Sequence, residues 1–261
     1  MTPEREAMNA AAASVDPAEV ARFAAIADRW WDPEGSFRPL HQLNPVRIAY
    51  VRDALAARLG RDPKAPQPLK GLTLLDVGCG GGLLAEPLTR LGARVTAIDV
   101  VERNIEVARL HAAQSGLTID YRHEPAEALA ARGEGFDVVL ALEVVEHVAD
   151  LPAFLATCAA LLRPGGAFFA ATLNRTPQSF ALGIVAAEYV LGLLPRGTHR
   201  WSKFVRPSEL VRGLAETGIR VERLDGVSYE PLRGRFGLSR NLTVNYMAYG
   251  VKAPNTKLRG A

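Results

Sequence analysis

The strongest constraint on the fold is a run of seven residues, Asp76-Val77-Gly78-Cys79-Gly80-Gly81-Gly82, that closes a short apolar stretch beginning at Leu72. Glycines let a backbone turn sharply and come close to a ligand. Where a first strand ends, they mark the carboxyl edge of a doubly wound sheet, the edge at which such sheets bind ligands. Gly80-Gly81-Gly82-Leu83-Leu84-Ala85 satisfies the dinucleotide pattern G-x-G-x-x-A. Asp76, standing before the glycines in the arrangement D-x-G-x-G-x-G, shifts the reading away from a pyrophosphate ligand. A turn that only packs would not gather this many tiny and polar residues.

Downstream, short apolar runs alternate with helical patterns. Leu72–Val77, Arg94–Ile98, Thr118–Arg122, Phe136–Ala141 and Ala167–Thr172 read as strands, with helices near 82–91, 102–115, 125–131 and 151–162 between them. That alternation predicts a parallel sheet covered on both faces. Pro207–Thr217 predicts one more helix. The strands expected near Ile219–Leu224 and Thr243–Val251 have no helix between them and can pair as an antiparallel edge. Upstream, Asp16-Pro17-Ala18-Glu19 offers an N-cap, a proline at N1 and an acid at N3, so a helix is expected to run to about Trp31. Asn44-Pro45 reads as the cap of a second helix with Ile48, Val51, Leu55 and Leu59 on one face. The prolines of 60–68 read as a linker. The expected fold is α/β, a doubly wound, mostly parallel sheet of seven strands. A helical cap over 1–68 precedes a domain over 69–261, with a helical insertion at 176–206.

The 261 residues are 48% apolar and 23% charged, which excludes a disordered chain, a collagen-like fibre and a low-complexity array. Cys79 and Cys158 cannot build a disulfide framework, and the first twenty residues hold no apolar signal core. The expected compartment is a reducing cytoplasm. The net charge of +3 conceals an asymmetry, because residues 194–261 carry 13 basic and 5 acidic side chains. Such a basic third suits an anionic partner, a lipid surface or a nucleic acid, unless its arginines are merely scattered and solvated.

Asp99 closes Val95-Thr96-Ala97-Ile98-Asp99. An acid there can accept hydrogen bonds from both hydroxyls of a ribose, and it can also cap the next helix. With the glycine loop, Phe136-Asp137-Val138-Val139 and Leu162-Arg163-Pro164-Gly165-Gly166, it makes the chain resemble the class I S-adenosylmethionine-dependent methyltransferases. A further set stands in order: Arg29-Trp30-Trp31-Asp32, Pro39-Leu40-His41, Asn44-Pro45-Val46-Arg47, Leu142-Glu143-Val144-Val145-Glu146-His147-Val148, Thr172-Leu173-Asn174-Arg175, Gly197-Thr198-His199 and Val244-Asn245-Tyr246-Met247. Over about residues 20–251 this set resembles the ubiquinone biosynthesis O-methyltransferases. The resemblance implies a Rossmann-like fold, S-adenosylmethionine as cofactor, and methylation of hydroxyls on polyprenylated phenols and catechols at both O-methylation steps. Carried over by motif, Arg47, Gly78, Asp99 and Leu142 would contact the cofactor, with Asp76, Gly80 and Gly82 in the same loop. A guanidinium such as Arg47 can pair bidentately with the methionyl carboxylate. Outside the resemblance, Arg47 would read as a solvated helix charge.

Glu143, Glu146 and His147 follow the fourth strand at spacing i, i+3, i+4, which on a helix places all three on one face. Two carboxylates and an imidazole suit a divalent metal, and the resemblance implies magnesium, which could chelate both oxygens of a catechol. The competing expectations are a catalytic role, with His147 as general base and Glu143 beside it, or a motif that simply caps and packs. His199 is a second base candidate. Phe180–Leu194 has one charge, Glu188. As a helix it would reach about 22 Å, short of the roughly 30 Å hydrocarbon core, so it does not span. With Arg196, Arg200, Lys203 and Arg206 next to it, it is expected to lie on an anionic membrane surface, the alternative being a buried lid.

The expected partners are therefore a polyprenylated phenol or catechol, an anionic membrane surface and other ubiquinone-biosynthesis enzymes, with no nucleic acid. The expected location is cytoplasmic, peripheral to the inner face of the cell membrane. Two alternatives stand beside this: an O-methyltransferase of other small phenols, and a non-catalytic, membrane-surface scaffold that binds the cofactor. An NAD dehydrogenase is more distant, since nothing supplies a hydride-handling site.

Overall fold

The computed structural model describes residues 14–181, 201–230 and 235–254. Its centre is an eight-stranded sheet made of β1 (Thr73–Val77), β2 (Arg94–Asp99), β3 (Asp120–His123), β4 (Phe136–Leu142), β5 (Leu162–Leu173), β6 (Ile219–Glu230), β7 (Arg235–Ser239) and β8 (Asn245–Lys252). Their order is β3-β2-β1-β4-β5-β8-β6-β7. The first five strands are parallel, as the alternation of strands and helices predicts. Central strands in such a sheet are buried on both faces, and β1 and β4 are mostly apolar for that reason, with Thr73, Asp76 and Asp137 as the exceptions. Leu74, Val138, Leu140 and Leu142 point into one core. Leu75, Val139 and Ala141 point into the other.

Helices α1 (Pro17–Ala24), α2 (Arg38–Arg58), α3 (Ala85–Arg90), α4 (Glu102–Gln114), α5 (Ala126–Ala131), α6 (Leu151–Leu161) and α7 (Pro207–Glu216) accompany the sheet. Asp16 caps α1 by accepting from the Ala18 amide. Asp150 caps α6 by accepting from the Ala153 amide at 2.9 Å. Helix α2 belongs to the main core, since Leu43, Tyr50, Val51, Ala54 and Leu55 join the same apolar cluster as one face of the sheet.

Three expectations need correction. Helix α1 ends at Ala24, and a 3-10 turn (Ala27–Arg29) replaces the stretch expected to continue to Trp31. The two tryptophans are claimed by contacts elsewhere, described below. Helix α2 starts at Arg38, with Pro39 in its first turn, and runs through Pro45. Asn44 is therefore no cap. Its side-chain amide donates instead to the Leu83 carbonyl at 2.6 Å, tying α2 to the segment after the glycine loop. Finally, the sheet has eight strands rather than seven. The last strand, β8, lies between β5 and β6, antiparallel to both, and β7 forms the outer edge through a hairpin with β6. The β7 sequence, Arg235-Phe236-Gly237-Leu238-Ser239, is too short and too broken by glycine to announce itself as a strand.

Candidate active site

A cavity of about 550 Å³ opens over the carboxyl ends of β1, β2 and β4. It gathers Arg47, Asp76, Gly78, Gly80, Asp99 and Leu142 with Glu143, Glu146 and His147 on its walls. The glycine loop is held by its neighbours' backbone. The amides of Gly78 and Cys79 both donate to the Ile98 carbonyl, at 2.8 and 2.9 Å. Asp99 staples it from the other side: the Gly80 amide donates to Oδ2 at 2.9 Å, and the Val101 amide to Oδ1 at 2.8 Å. Asp99 thus organises the loop; the Asn104 side chain also bonds to its carboxylate, which keeps acceptor capacity for one further donor.

Trp30 and Trp31 close over this loop. The Trp30 ring stacks on Phe37 at 3.7 Å, and its Nε1 donates to Asn104 Oδ1 at 2.8 Å. Trp31 Nε1 donates to the Gly81 carbonyl at 2.9 Å, and its ring stacks on His111 at 3.4 Å. His111 in turn contacts the buried Glu86 at 2.6 Å. Sequence periodicity reads Trp30 as one residue of a helical stripe, and only the family motif Arg29-Trp30-Trp31-Asp32 signals it. Gly82 lies off the cavity wall, with φ +86°, and a side chain there would meet the Tyr121 hydroxyl.

Arg47 is buried and forms an ion pair with Glu143 at 2.9 Å, although the pair lacks hydrogen-bond alignment and Nε has no partner. Asp76 is buried with Oδ2 unpartnered. Burial, with repulsion from Asp99, pushes its pKa up to about 7 against the attraction of Arg47. An unpaired guanidinium nitrogen and an unpaired carboxyl facing one cavity suit the carboxylate and ammonium of an amino acid, and hence the methionyl part of S-adenosylmethionine.

This gives a pH dependence with a definite sign. A raised folded-state pKa favours the protonated acid, so stability from Asp76 is full below the unfolded value of about 4 and is lost as pH rises toward 7. A ligand ammonium favours the ionised acid. Cofactor affinity should therefore tighten as pH rises from about 5.5 to about 8, while the stability of the free protein declines. Calorimetric titrations across that range test this, and a flat affinity profile would remove Asp76 from the ammonium contact.

The Glu143–His147 segment is a turn, not a helix. Glu143 has φ +59°, which takes it out of helical geometry. Its three acidic and basic groups are engaged separately. Glu143 holds Arg47. Glu146 Oε2 accepts from Thr172 Oγ1 at 2.8 Å, and burial together with Glu143 raises its pKa to about 7. His147 Nδ1 meets Glu19 Oε2 at 3.0 Å, and its ring packs edge-on against Phe23. Among the described residues no three His, Cys, Asp or Glu side chains are grouped to hold a metal ion, so the donor set expected for magnesium is not assembled. Glu19, on α1, reads from the sequence only as an acid in the first turn of a helix. It lies 128 positions from His147 in the chain. His199 and most of Phe180–Leu194 lie outside the described residues.

Residues 75–170 match the methyltransferase-domain family. The ubiquinone biosynthesis O-methyltransferase of Parvibaculum lavamentivorans is 56% identical over 244 residues, covering 94% of this chain and 96% of its own. That of Methylobacterium sp. (strain 4-46) is 58% identical over 234 residues, covering 90% and 94%. Among solved structures, magnesium protoporphyrin IX methyltransferase from Synechocystis PCC 6803 with bound SAH is similar in fold, with a TM-score of 0.53 and 21% identity over 80% of this chain and 85% of that one. Identity above one half along nearly the full length of both chains leaves no room for a different family: the chain belongs to the ubiquinone biosynthesis O-methyltransferases.

Proposed function

We propose that this chain moves a methyl group from S-adenosylmethionine to a phenolic hydroxyl of a polyprenylated phenol or catechol, at both O-methylation steps of ubiquinone synthesis. The observation that carries this reading is the division of one cavity. Asp76 and Arg47 carry unpaired polar atoms beside the glycine loop, and Val20, Phe23, Ile26, Leu40, Leu43 and Phe236 contribute apolar side chains to the same lining. The polar end suits an amino-acid cofactor, and the apolar wall suits an aromatic ring with a hydrocarbon tail.

S-adenosylmethionine, when bound, supplies an electrophilic methyl group on a sulfonium. Arg47 would pair with its carboxylate and Asp76 with its ammonium. Gly78 and Gly80 would let the backbone lie close to it, Asp99 would accept from its ribose, and Leu142 would pack against it. Glu143 holds Arg47 in place. His147, oriented by Glu19 in the manner of a carboxylate–imidazole pair, accepts the phenolic proton. The rest of the catalysis is alignment. The test is methyl transfer from S-adenosylmethionine to a prenylated catechol, with and without chelator. Turnover should persist in chelator, and His147→Ala should lower kcat by about 10²–10⁴-fold. Cofactor binding without turnover on any phenol would favour a scaffold instead.

The same proposal places the protein at an anionic membrane surface on the cytoplasmic side, where a polyprenyl substrate resides, within reach of other enzymes of the same synthesis. No described helix is long and apolar enough to cross a membrane. Supporting a peripheral contact, Phe180 and Trp201, on either side of 182–200, are 45% and 39% exposed and pack edge to face. The excess of basic residues after 194 adds attraction of about 1 kcal/mol per Lys or Arg at anionic lipid. The protein should co-sediment with anionic liposomes, poorly with zwitterionic ones, and less at high salt. Deleting Phe180–Leu194 should abolish sedimentation and slow long-chain substrates more than soluble catechols. Normal liposome binding by a folded deletion protein would refute the membrane role of this stretch.

A further inference from the structure

Four residues of the cavity wall carry buried polar atoms without a hydrogen-bond partner: Arg47, Asp76, Glu146 and Asn245. Arg47 and Asp76 face the cofactor in the reading above, and Glu146 is anchored through its other oxygen to Thr172. Asn245 has no such account. Its Oδ1 is buried and accepts nothing. Buried amide oxygens are rarely left this way in a finished structure, and one on a cavity wall is a place for a donor from a ligand.

The strand geometry says which part of the cavity Asn245 serves. It opens β8, opposite Leu173 of β5 and Val227 of β6. Side chains alternate along a strand. Tyr246 enters the core on one face and donates to the Val205 carbonyl. Asn245 therefore faces the other side, with Met247 and Tyr249, the side on which α2 packs. There Leu43, Leu173 and Phe236 give the cavity an apolar wall.

The position is also fixed. The Asn174 amide donates to the Val244 carbonyl at 2.8 Å, and its side chain donates to the Leu242 carbonyl at 2.8 Å. Thr176 Oγ1 donates to the Thr243 carbonyl. Asn241 Oδ1 accepts from both the amide and the hydroxyl of Thr243, at 2.9 and 2.7 Å. The loop leading into β8 is thus pinned to the end of β5 immediately before Asn245. A polar group held this rigidly in an apolar wall fixes the orientation of a ring placed against it.

We propose that Asn245 is a specificity-determining residue for the acceptor: its side-chain amide oxygen accepts the hydrogen bond of the ring hydroxyl that is not being methylated. The inference rests on the methyltransferase reading and on the acceptor ring lying against this wall. The step itself is unchanged. The reacting phenolate oxygen gains the methyl group, the sulfonium leaves as a neutral thioether, and the neighbouring hydroxyl keeps its proton in the bond to Asn245.

The experiment compares wild type, Asn245→Leu and Asn245→Asp on two soluble acceptors, an alkylcatechol with inequivalent hydroxyls and the matching alkylphenol with one hydroxyl. Asn245→Leu should lower kcat/KM about tenfold on the catechol, mainly through KM, and less than twofold on the phenol. It should also even out the ratio of the two methylated products. Asn245→Asp, which keeps an acceptor oxygen in the same shape, should retain the wild-type product ratio. Cofactor affinity by calorimetry should not change in either variant. Equal losses on both acceptors, a weakened cofactor, or no loss on the catechol would each overturn the assignment of Asn245 while leaving the methyltransferase reading intact. A wild type inert on both acceptors would sink that reading, and this inference with it.

Discussion

Gly80→Ala should abolish cofactor binding and lower stability by about 2–4 kcal/mol. Gly80 has φ +53°, and a Cβ there would fall inside the Trp30 ring. Two costs add. The left-handed backbone penalises any side chain by about 1–2 kcal/mol. The clash must then be relieved by moving either the loop or the ring. The ring is held by its stack on Phe37 and its bond to Asn104. The loop is held by Asp99, whose Oδ2 accepts the Gly80 amide itself. Gly116→Ala is the control, because it shares a positive φ of +65° with nothing within 4 Å. It should show the backbone cost alone, about 1 kcal/mol. Adding Trp30→Ala to Gly80→Ala should give less than the sum of the two single losses, since the ring is then no longer in the way. Urea denaturation and calorimetric titration read both effects. Equal losses at Gly80 and Gly116 would show that the aromatic cap does not constrain the loop.

What could be read in the sequence follows from how local each signal is. The parallel half of the sheet was legible because β1, β2, β4 and β5 each carry an apolar run, while β3, Asp120-Tyr121-Arg122-His123, was placed by the alternation of strands and helices around it. The strand expected at Arg94–Ile98 is found at Arg94–Asp99, and that expected at Phe136–Ala141 at Phe136–Leu142. The cavity residues Arg47, Asp76, Asp99 and Leu142 were legible because the carboxyl edge of such a sheet is a known place and the family motifs mark it.

The failures were at positions whose conformation is decided by distant partners. Trp30 falls on a helical stripe and Trp31 at the expected helix end, yet their ring contacts lie with Phe37 and His111 and their bonds with Asn104 and Gly81. Glu143, Glu146 and His147 have helical spacing too, but the φ of Glu143 breaks the helix before it begins. Their partners are Arg47, Thr172 and Glu19, on three different elements. Asn245 stood in the motif Val244-Asn245-Tyr246-Met247 with no role attached, because what distinguishes it is a buried oxygen without a partner, which only packing reveals.

Asp99→Ala should produce a double loss that separates the two jobs of this carboxylate. In the free protein it satisfies the buried amides of Gly80 and Val101. Leaving two buried donors unpaired costs about 1–3 kcal/mol each, so the variant should be less stable by roughly 2–5 kcal/mol before any ligand is added. In the complex proposed above its remaining acceptor capacity would serve the ribose, and loss of that contact should weaken S-adenosylmethionine by roughly 2–4 kcal/mol, about 30- to 1000-fold. Asp99→Asn distinguishes the contributions. Its amide has the same shape but one acceptor oxygen, so it can satisfy only one of the two backbone donors. It also carries no charge, and burial already pushes the Asp99 pKa upward despite the bonds from Val101 and Gly80. A group raised in this way loses its stability contribution as pH rises, so the asparagine variant should show a flatter stability profile than wild type. Its stability should fall between wild type and alanine. Its affinity should stay near that of alanine if the ribose needs both oxygens, and near wild type if one suffices. Denaturation and calorimetry on the same three proteins read the two effects independently. Full stability in Asp99→Ala would remove the staple, and full affinity would remove the ribose contact.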